Sequence, residues 1–513
     1  MRWVLIRPLN HSLFYDPEIQ EPLGLEYLSA TLNKLGCNVL ILDSALDNLN
    51  NRKLARRAIS FEPDIIGFSV TTERELDSVL EIYSECKNVL NDDNVCWLAG
   101  GNYVTTESYN ALKELPAEFH LVKYEGESAI TNICELWNSG NISLLPKLID
   151  GEPAVELDKL SFPERPYHYY LKNYGWAFNI QGSRGCCSAC KYCASRGMRG
   201  SKLSFWRGRT PQNIVEEISW LNKAYSARTF NFVDEDFLGP PAFSLERAKR
   251  FSAAISENNL KITFGIQVRP NSLSEDVIDI LATAGLKYVF MGIESDNPCD
   301  FKNWGRKYCE KAWDWVKYLQ KKDIEVNAGT LLFHPDSTFD GIRDFAMKLF
   351  QHGLLNFRTA TNRLDAMPGS FFHDQHLSQN PNADYTGIIQ LPFKDPGIEP
   401  FFSVLVRVLA PIDAPSMHAL CSIPVAQIMK YFENSSEKFD ILKSINYDCD
   451  EIVSACFFTI LEMFENNIYS EQKVEEMAKN NLDLSISIAK RLIENGFVSN
   501  PEVLYDAITQ SDL

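Results

Sequence analysis

The hydrophobic positions of the first 140 residues change period again and again. Short apolar runs at 3–8 (WVLIRP), 38–43 (NVLILD), 63–70 (PDIIGFSV), 94–101 (NVCWLAGG) and 118–122 (EFHLV) read as strands. PDIIGFSV has no polar alternation, as expected of a strand covered on both faces in a parallel sheet. Between these runs the spacing becomes helical. Leu25, Leu28, Leu32 and Leu35 share one face of 23–36, and Gly36 is the stop. Residues 73–83, 108–115 and 127–140 carry three more helical patterns. Strand and helix in this alternation predict a doubly wound α/β domain over 1–140.

Residues 141–172 lose the rhythm and hold Pro146, Pro153, Pro163 and Pro166, so a linker is expected there. The alternation restarts at about 173. Strands are expected at 176–183, 229–236, 262–270, 288–295, 325–333 and 357–367. The helix at 210–225 has Thr210 to cap it and Pro211 in its first turn. Six βα units over 173–394 suit a partial, open (β/α)6 barrel, with its chemistry at the strand C-termini. From 395 to 513 strand signals fade, and 424–432, 450–464 and 474–496 read as helices of a C-terminal helical domain.

Bulk composition narrows the function. The chain has 513 residues, 45% apolar, with a net charge of −18, which disfavours a nucleic-acid or anionic-membrane surface. Arg2 precedes only a short apolar run, so the start reads as a strand and not a signal peptide. No run of 18 apolar residues occurs, so no spanning helix is expected. Thirteen cysteines are too few for a disulfide scaffold of this length, and reduced thiols point to the cytoplasm.

Four of those cysteines fall within RGCCSACKYC, residues 184–193. Cys187, Cys190 and Cys193 give C-x2-C-x2-C, a ferredoxin-type start that wants a fourth cysteine at the position held by Gly197. Cys186, Cys190 and Cys193 give C-x3-C-x2-C, complete with three. A structural zinc site needs four closed ligands, and no second cysteine pair is present to supply them.

The C-x3-C-x2-C spacing follows the first strand of a six-strand βα barrel, with Tyr192 before its last cysteine. This resembles the radical S-adenosylmethionine (radical SAM) superfamily. The resemblance implies that Cys186, Cys190 and Cys193 bind a [4Fe–4S] cluster, with one iron left open for the amino and carboxylate groups of SAM. It further implies reductive cleavage of SAM to a 5′-deoxyadenosyl radical, an external electron donor such as flavodoxin or ferredoxin, and a small-molecule substrate. Cys187 is then the spare. SAM is expected at the strand ends, on Asp234 and Glu235 after the second strand, Arg269 after the third, and Glu294 and Ser295 after the fourth. Asp234 and Glu235 stand in place of the family's Gly-Gly-Glu.

The first domain, with DIIGFSVTT, LAGGNYVTT and YEGESAI, resembles the cobalamin-binding domain that precedes the barrel in one large radical SAM class. That places the corrin at Ser69, Thr71, Gly100, Gly101 and Tyr103. The D-x-H-x-x-G signature of such domains reads DSALDN here, with Ala45 for histidine and Asn48 for glycine. Many relatives in the class also lack that histidine, so the departure leaves two expectations: a cobalamin-dependent methyltransferase acting on an unactivated carbon, or non-methyl radical chemistry beside a vestigial first domain. A non-catalytic iron–sulfur or zinc protein is the alternative of a different class.

Overall fold

The computed structural model describes residues 1–8, 20–90, 95–169, 177–199, 206–380, 387–429, 436–498, 504, 505, 507 and 508. They form two compact units, one drawn from 1–227 and 367–389, the other from 228–366 and 390–513.

The first unit holds a six-stranded parallel sheet in the order β2-β1-β3-β4-β5-β6. Its strands are β1 (Arg2–Arg7), β2 (Asn38–Asp43), β3 (Ile65–Ser69), β4 (Cys96–Gly100), β5 (His120–Tyr124) and β6 (Leu148–Gly151). Alternate residues serve two cores. Val4, Ile6, Ile66 and Phe68 pack on one face, and Trp3, Leu5, Ile65 and Leu98 on the other. Burial on both faces is why these strands are continuously apolar. The chain winds one way from β1 to β2 and the other way to β3. This reversal opens a crevice at the strand C-termini, the usual ligand position in such sheets.

The helices of this unit are α1 (Leu23–Lys34), α2 (Asn51–Ser60), α3 (Leu76–Lys87), α4 (Asn102–Thr106), α5 (Ser108–Glu114) and α6 (Gly126–Asn138). β6 lies in the stretch expected to be a linker, where it pairs in parallel with β5. Of its four residues two are exposed and only Gly151 is buried, and two prolines bracket the segment, so no apolar run announces it. The last residues of the expected linker, 170–172, lie outside the described residues.

Farther along the same unit come β7 (Phe178–Ile180) and an antiparallel hairpin of β8 (Ser183–Gly185) and β9 (Trp206–Gly208). Next is α7 (Pro211–Tyr225), capped by the Thr210 side chain as expected.

In the second unit β10 (Thr229–Phe232), β11 (Thr263–Val268), β12 (Leu286–Glu294) and β13 (Glu325–Thr330) pair in parallel in sequence order. They alternate with α8 (Pro241–Glu257), α9 (Glu275–Ala284), α10 (Pro298–Asn303), α11 (Ala312–Lys321) and α12 (Phe339–Gln351).

The stretch 357–367, expected as a sixth strand, opens instead as a short helix, α13 (Phe357–Thr361). Asn356 and Thr359 cap each other's backbone N–H, a local bond set that overrides the β-branched pattern. The sixth barrel position is reduced to a parallel bridge between Phe333 and Arg363.

The chain passes β14 (Asp365–Ala366), α14 (Phe371–Gln379) of the first unit and β15 (Ile389–Gln390) before its helical end. That end consists of α15 (Ile398–Met429), α16 (Ser436–Glu465) and α17 (Glu471–Glu494), longer than the patterns alone suggest. The expected helix at 424–432 is seen to Met429, and its remainder lies outside the described residues. Ile398–Ser422 is long and apolar enough to cross a membrane by length and composition, though no 18-residue apolar run announced it. Phe401, Leu405, Val408, Leu409 and Ile412 are fully buried, so this stretch serves as a core helix of the bundle.

Candidate functional site

The β8–β9 hairpin delivers the cysteine loop. Cys186, Cys187, Cys190 and Cys193 are all half-buried thiols, and no disulfide joins any cysteine among the described residues. The Ser188 N–H donates to Cys186 Sγ at 3.4 Å, and the Ser188 hydroxyl lies 3.2 Å from Cys190 Sγ. Hydrogen bonds of this kind stabilise charge on a ligating sulfur and tune its metal. The Cys193 N–H closes a turn on the Cys190 carbonyl at 3.2 Å.

Among the described residues no three His, Cys, Asp or Glu side chains converge on a single metal ion. The donor set of three soft sulfurs on an accessible loop fits a cluster.

Gly197 explains the missing fourth ligand. A Cβ built there would lie 2.4 Å from the Gly369 carbonyl oxygen. Gly369 itself has φ +83 and lies against Thr106. Backbone occupies the space that a fourth cysteine would need. The same segment is tied to the loop by the Phe372 N–H, which donates to the Lys191 carbonyl at 3.1 Å.

The residues expected to meet a corrin share the C-terminal edge of the first sheet. Ser69 of β3 is in register with Gly100 of β4. Gly101 has φ +111, and a Cβ on it would lie 2.5 Å from the Val70 carbonyl oxygen, so only glycine fits. Thr71 does not present a free hydroxyl. Its Oγ1 donates to Glu75 Oε1 at 2.6 Å, at the start of the segment leading into α3. Tyr103 turns into the core, 6% exposed, and its hydroxyl donates to Glu114 at 2.6 Å. Burial and that carboxylate push its pKa up. In the DSALDN turn the Ala45 and Leu46 N–H groups donate to the buried Asp43 Oδ1 at 3.0 and 2.9 Å. Asn48 takes φ +50, the left-handed conformation that a glycine would otherwise supply there.

The strand ends of the second unit carry the residues expected to meet SAM. Asp234 is buried, and Glu235 is half-buried beside it. Arg269 is already engaged: its Nε donates to the buried Asp236 Oδ2 at 2.8 Å, and its Nη2 to the Gly239 carbonyl at 2.9 Å. Glu294 has φ +65 and pairs with Arg306, which also holds the Gly292 carbonyl at 2.6 Å. The Ser295 hydroxyl donates to Asp300 Oδ2 at 2.5 Å, and His334 Nε2 lies 3.4 Å from the same oxygen. Burial, only partly offset by Asp300, lowers the His334 pKa. A small cavity of about 10 Å3, room for about one water, is lined by Asn271, Gly292, Ser295, Arg306 and Tyr308, among others. Asp236, Arg306 and Asp300 thus engage the Arg269, Glu294 and Ser295 side chains expected at these strand ends.

Sequence reading missed Asp236, Arg306, Asp300 and His334. The available signal was that each lies within a dozen residues or so of a strand end.

Known proteins share both halves of this arrangement. Residues 180–349 match the model of the Radical SAM superfamily, and residues 17–133 that of the B12 binding domain. The "Uncharacterized methyltransferase PH0819" of Pyrococcus horikoshii is 27% identical over 348 residues, covering 64% of this chain and 73% of that protein. The anaerobic magnesium-protoporphyrin IX monomethyl ester cyclase of Synechocystis sp. is 26% identical over 303 residues. That covers 55% of this chain and 58% of the cyclase, so the chain spans little more than half of that relative. In fold, the chain is similar to the cobalamin-dependent S-adenosylmethionine radical enzyme OxsB, solved with aqua-cobalamin and S-adenosylmethionine. The TM-score is 0.72 at 14% identity, over 99% of this chain and 83% of that one. By these matches residues 180–349 belong to the radical SAM superfamily and residues 17–133 to the B12 binding domain family, so the chain is a radical SAM enzyme with an N-terminal B12-binding domain, and the two domains imply a [4Fe–4S] cluster, S-adenosylmethionine and cobalamin as cofactors.

Proposed function

We propose that this chain is a cobalamin-dependent radical SAM methyltransferase acting on an unactivated carbon of a small-molecule or natural-product intermediate. The observation that carries the reading is the pairing, in one chain, of a three-thiolate loop closed to a fourth ligand at Gly197 with a B12-type sheet edge at Ser69 and Gly100. When bound, the cluster with SAM supplies one-electron reductive cleavage, and cobalamin supplies a methyl carrier.

The chain's own residues do the rest. Cys186, Cys190 and Cys193 hold the cluster and Cys187 stays outside the set. Ser188 donates to two of the sulfurs. Asp234, Glu235, Arg269, Glu294 and Ser295 orient SAM, with Asp236 and Arg306 holding Arg269 and Glu294 in place. Ser69, Thr71, Gly100, Gly101 and Tyr103 line or support the corrin side. In this reading 1–140 is the cobalamin domain, 141–172 its connection, 173–394 the barrel and 395–513 a helical cap. The electron comes from an external donor, and the enzyme works in the cytoplasm.

A second reading, ring closure without methyl transfer, is favoured by the cyclase relative. The two separate in one anaerobic experiment with SAM labelled on its methyl group and cell extract as the source of substrate. Methyl transfer predicts labelled product with S-adenosylhomocysteine and 5′-deoxyadenosine formed together. 5′-Deoxyadenosine alone, without labelled product, would favour the cyclase reading.

A further inference from the structure

Arg184 stands two residues before Cys186, on β8, directly opposite Arg207 on β9. Both guanidiniums converge on one carboxylate. Arg184 Nη1 donates to Glu125 Oε2 at 2.8 Å, and Arg207 binds Glu125 Oε1. Arg184 is used further: Nη2 donates to Glu127 Oε1 at 2.6 Å and Nε to Gln181 Oε1 at 2.8 Å. Arg207 also holds the Ala154 carbonyl, while the Ala154 N–H returns to Glu125 Oε2 at 3.0 Å.

The two glutamates flank Gly126 at the C-terminal end of β5, on the edge that also carries Ser69 and Gly100. Their backbone is fixed on several sides. Tyr124 is held at φ +64, with its N–H on Thr105 Oγ1 at 3.0 Å. A Cβ on Gly151 would lie 1.9 Å from the Glu125 carbonyl oxygen, so β6 presses directly on this turn. A non-glycine residue held left-handed persists only where its surroundings over-determine it. Charge-assisted pairs with forked guanidiniums add a defined geometry to that rigidity.

These contacts join the hairpin that opens onto the cluster cysteines to the sheet edge assigned to the corrin. We propose that Glu125 and Glu127, acting through Arg184 and Arg207, are positioning residues that set the distance and orientation of the cysteine loop against that edge. The inference rests on the site reading given under the proposed function. The catalytic groups remain the cofactors; the four charged side chains act through the backbone of β8 and β9.

The test uses the full chain, loaded anaerobically with cluster and cobalamin and reduced so that cluster and cob(II)alamin are both paramagnetic. Their dipolar coupling is read by pulsed EPR in wild type, Glu125→Gln/Glu127→Gln, Arg184→Lys and Arg184→Met. The expected result is iron and cobalt at wild-type levels throughout, a shifted or broadened distance distribution in the double variant and in Arg184→Met, and a near-native one in Arg184→Lys. An unchanged distribution in the double variant would overturn the proposal. So would outright loss of iron or cobalt, which would make the brace a structural support only. If wild type itself retains no cobalt, the proposed function fails instead. The brace is then judged on the reduced cluster's EPR g-values after SAM is added, altered in the double variant if it positions the loop and unchanged if it does not.

Discussion

The first unit contains two arginine–glutamate networks, and they differ in kind. Arg165 is sealed: its side chain and those of Glu21, Glu26 and Glu217 are 0% exposed. Arg184 is only nearly so, at 13% exposed against 17% for Glu125. Around Arg165 three carboxylates compete for Arg165 and Arg209, and neither oxygen of Glu26 finds a hydrogen-bond partner among the described residues. Burial, then the Glu21 charge, push the Glu26 pKa well above the ordinary range. At Glu125 burial pulls upward, but the Arg207 hydrogen bond and the two arginine charges outweigh it and hold the carboxyl below its ordinary value. In the sealed network burial favours the neutral form of Glu26, and the network fastens α1, the 160s stretch and α7 together. In the open network the arginines favour the charged form of Glu125, and the network ends beside the cysteines. Burial alone does not mark a functional charge; what the charge is tied to does.

The largest effect should come from breaking the sealed network. Arg165→Met leaves buried carboxylates without their partner and should cost about 3–5 kcal/mol in denaturant unfolding. Arg184→Met should cost less, about 1–3 kcal/mol, and should alter the EPR of the reduced cluster, which Arg165→Met leaves native at temperatures where it stays folded. Equal effects of the two variants on that spectrum would erase the distinction drawn between them.

Glu26→Gln should change stability by less than about 1 kcal/mol below about pH 4, where carboxyl and amide are both neutral in the folded and unfolded chain, and should be no less stable than wild type near neutral pH. A loss as large as that of Arg165→Met would mean that Glu26 is ionised. The smallest effects are in pH dependence. A carboxyl with a raised folded pKa contributes stability at low pH that is lost as pH rises through that pKa, so Glu26→Gln should flatten a decline above about pH 4.5. Glu125 has the opposite sign: its contribution is present above the ordinary carboxylate pKa and is lost as pH falls, so Glu125→Gln should flatten the acid limb. Unfolding midpoints from pH 3 to 8 would check both signs.

Much of this could be read in the sequence, for a physical reason. β1 to β5 are buried on both faces, so their apolar runs announce them; β6, half of it exposed and between prolines, does not. The cysteine spacing is a local pattern and was legible as such. The closure of the fourth position was not, because Gly369 lies far from Gly197 in sequence. Arg269 was singled out, but the buried Asp236 that holds it is visible only once two strand ends are side by side. The brace was hidden in the same way. YEGES and SRGC each stand out, while their contact spans 59 residues. Sites made by one loop are readable from a sequence, and sites made by two elements wait for the fold.

The most direct test of the account is metal and absorption analysis of the full chain, purified and reconstituted anaerobically with hydroxocobalamin. The account predicts about four iron and one cobalt per chain, with iron lost on Cys186→Ala, Cys190→Ala or Cys193→Ala and retained on Cys187→Ala. Zinc in place of iron, or iron with no retained cobalt, would contradict it.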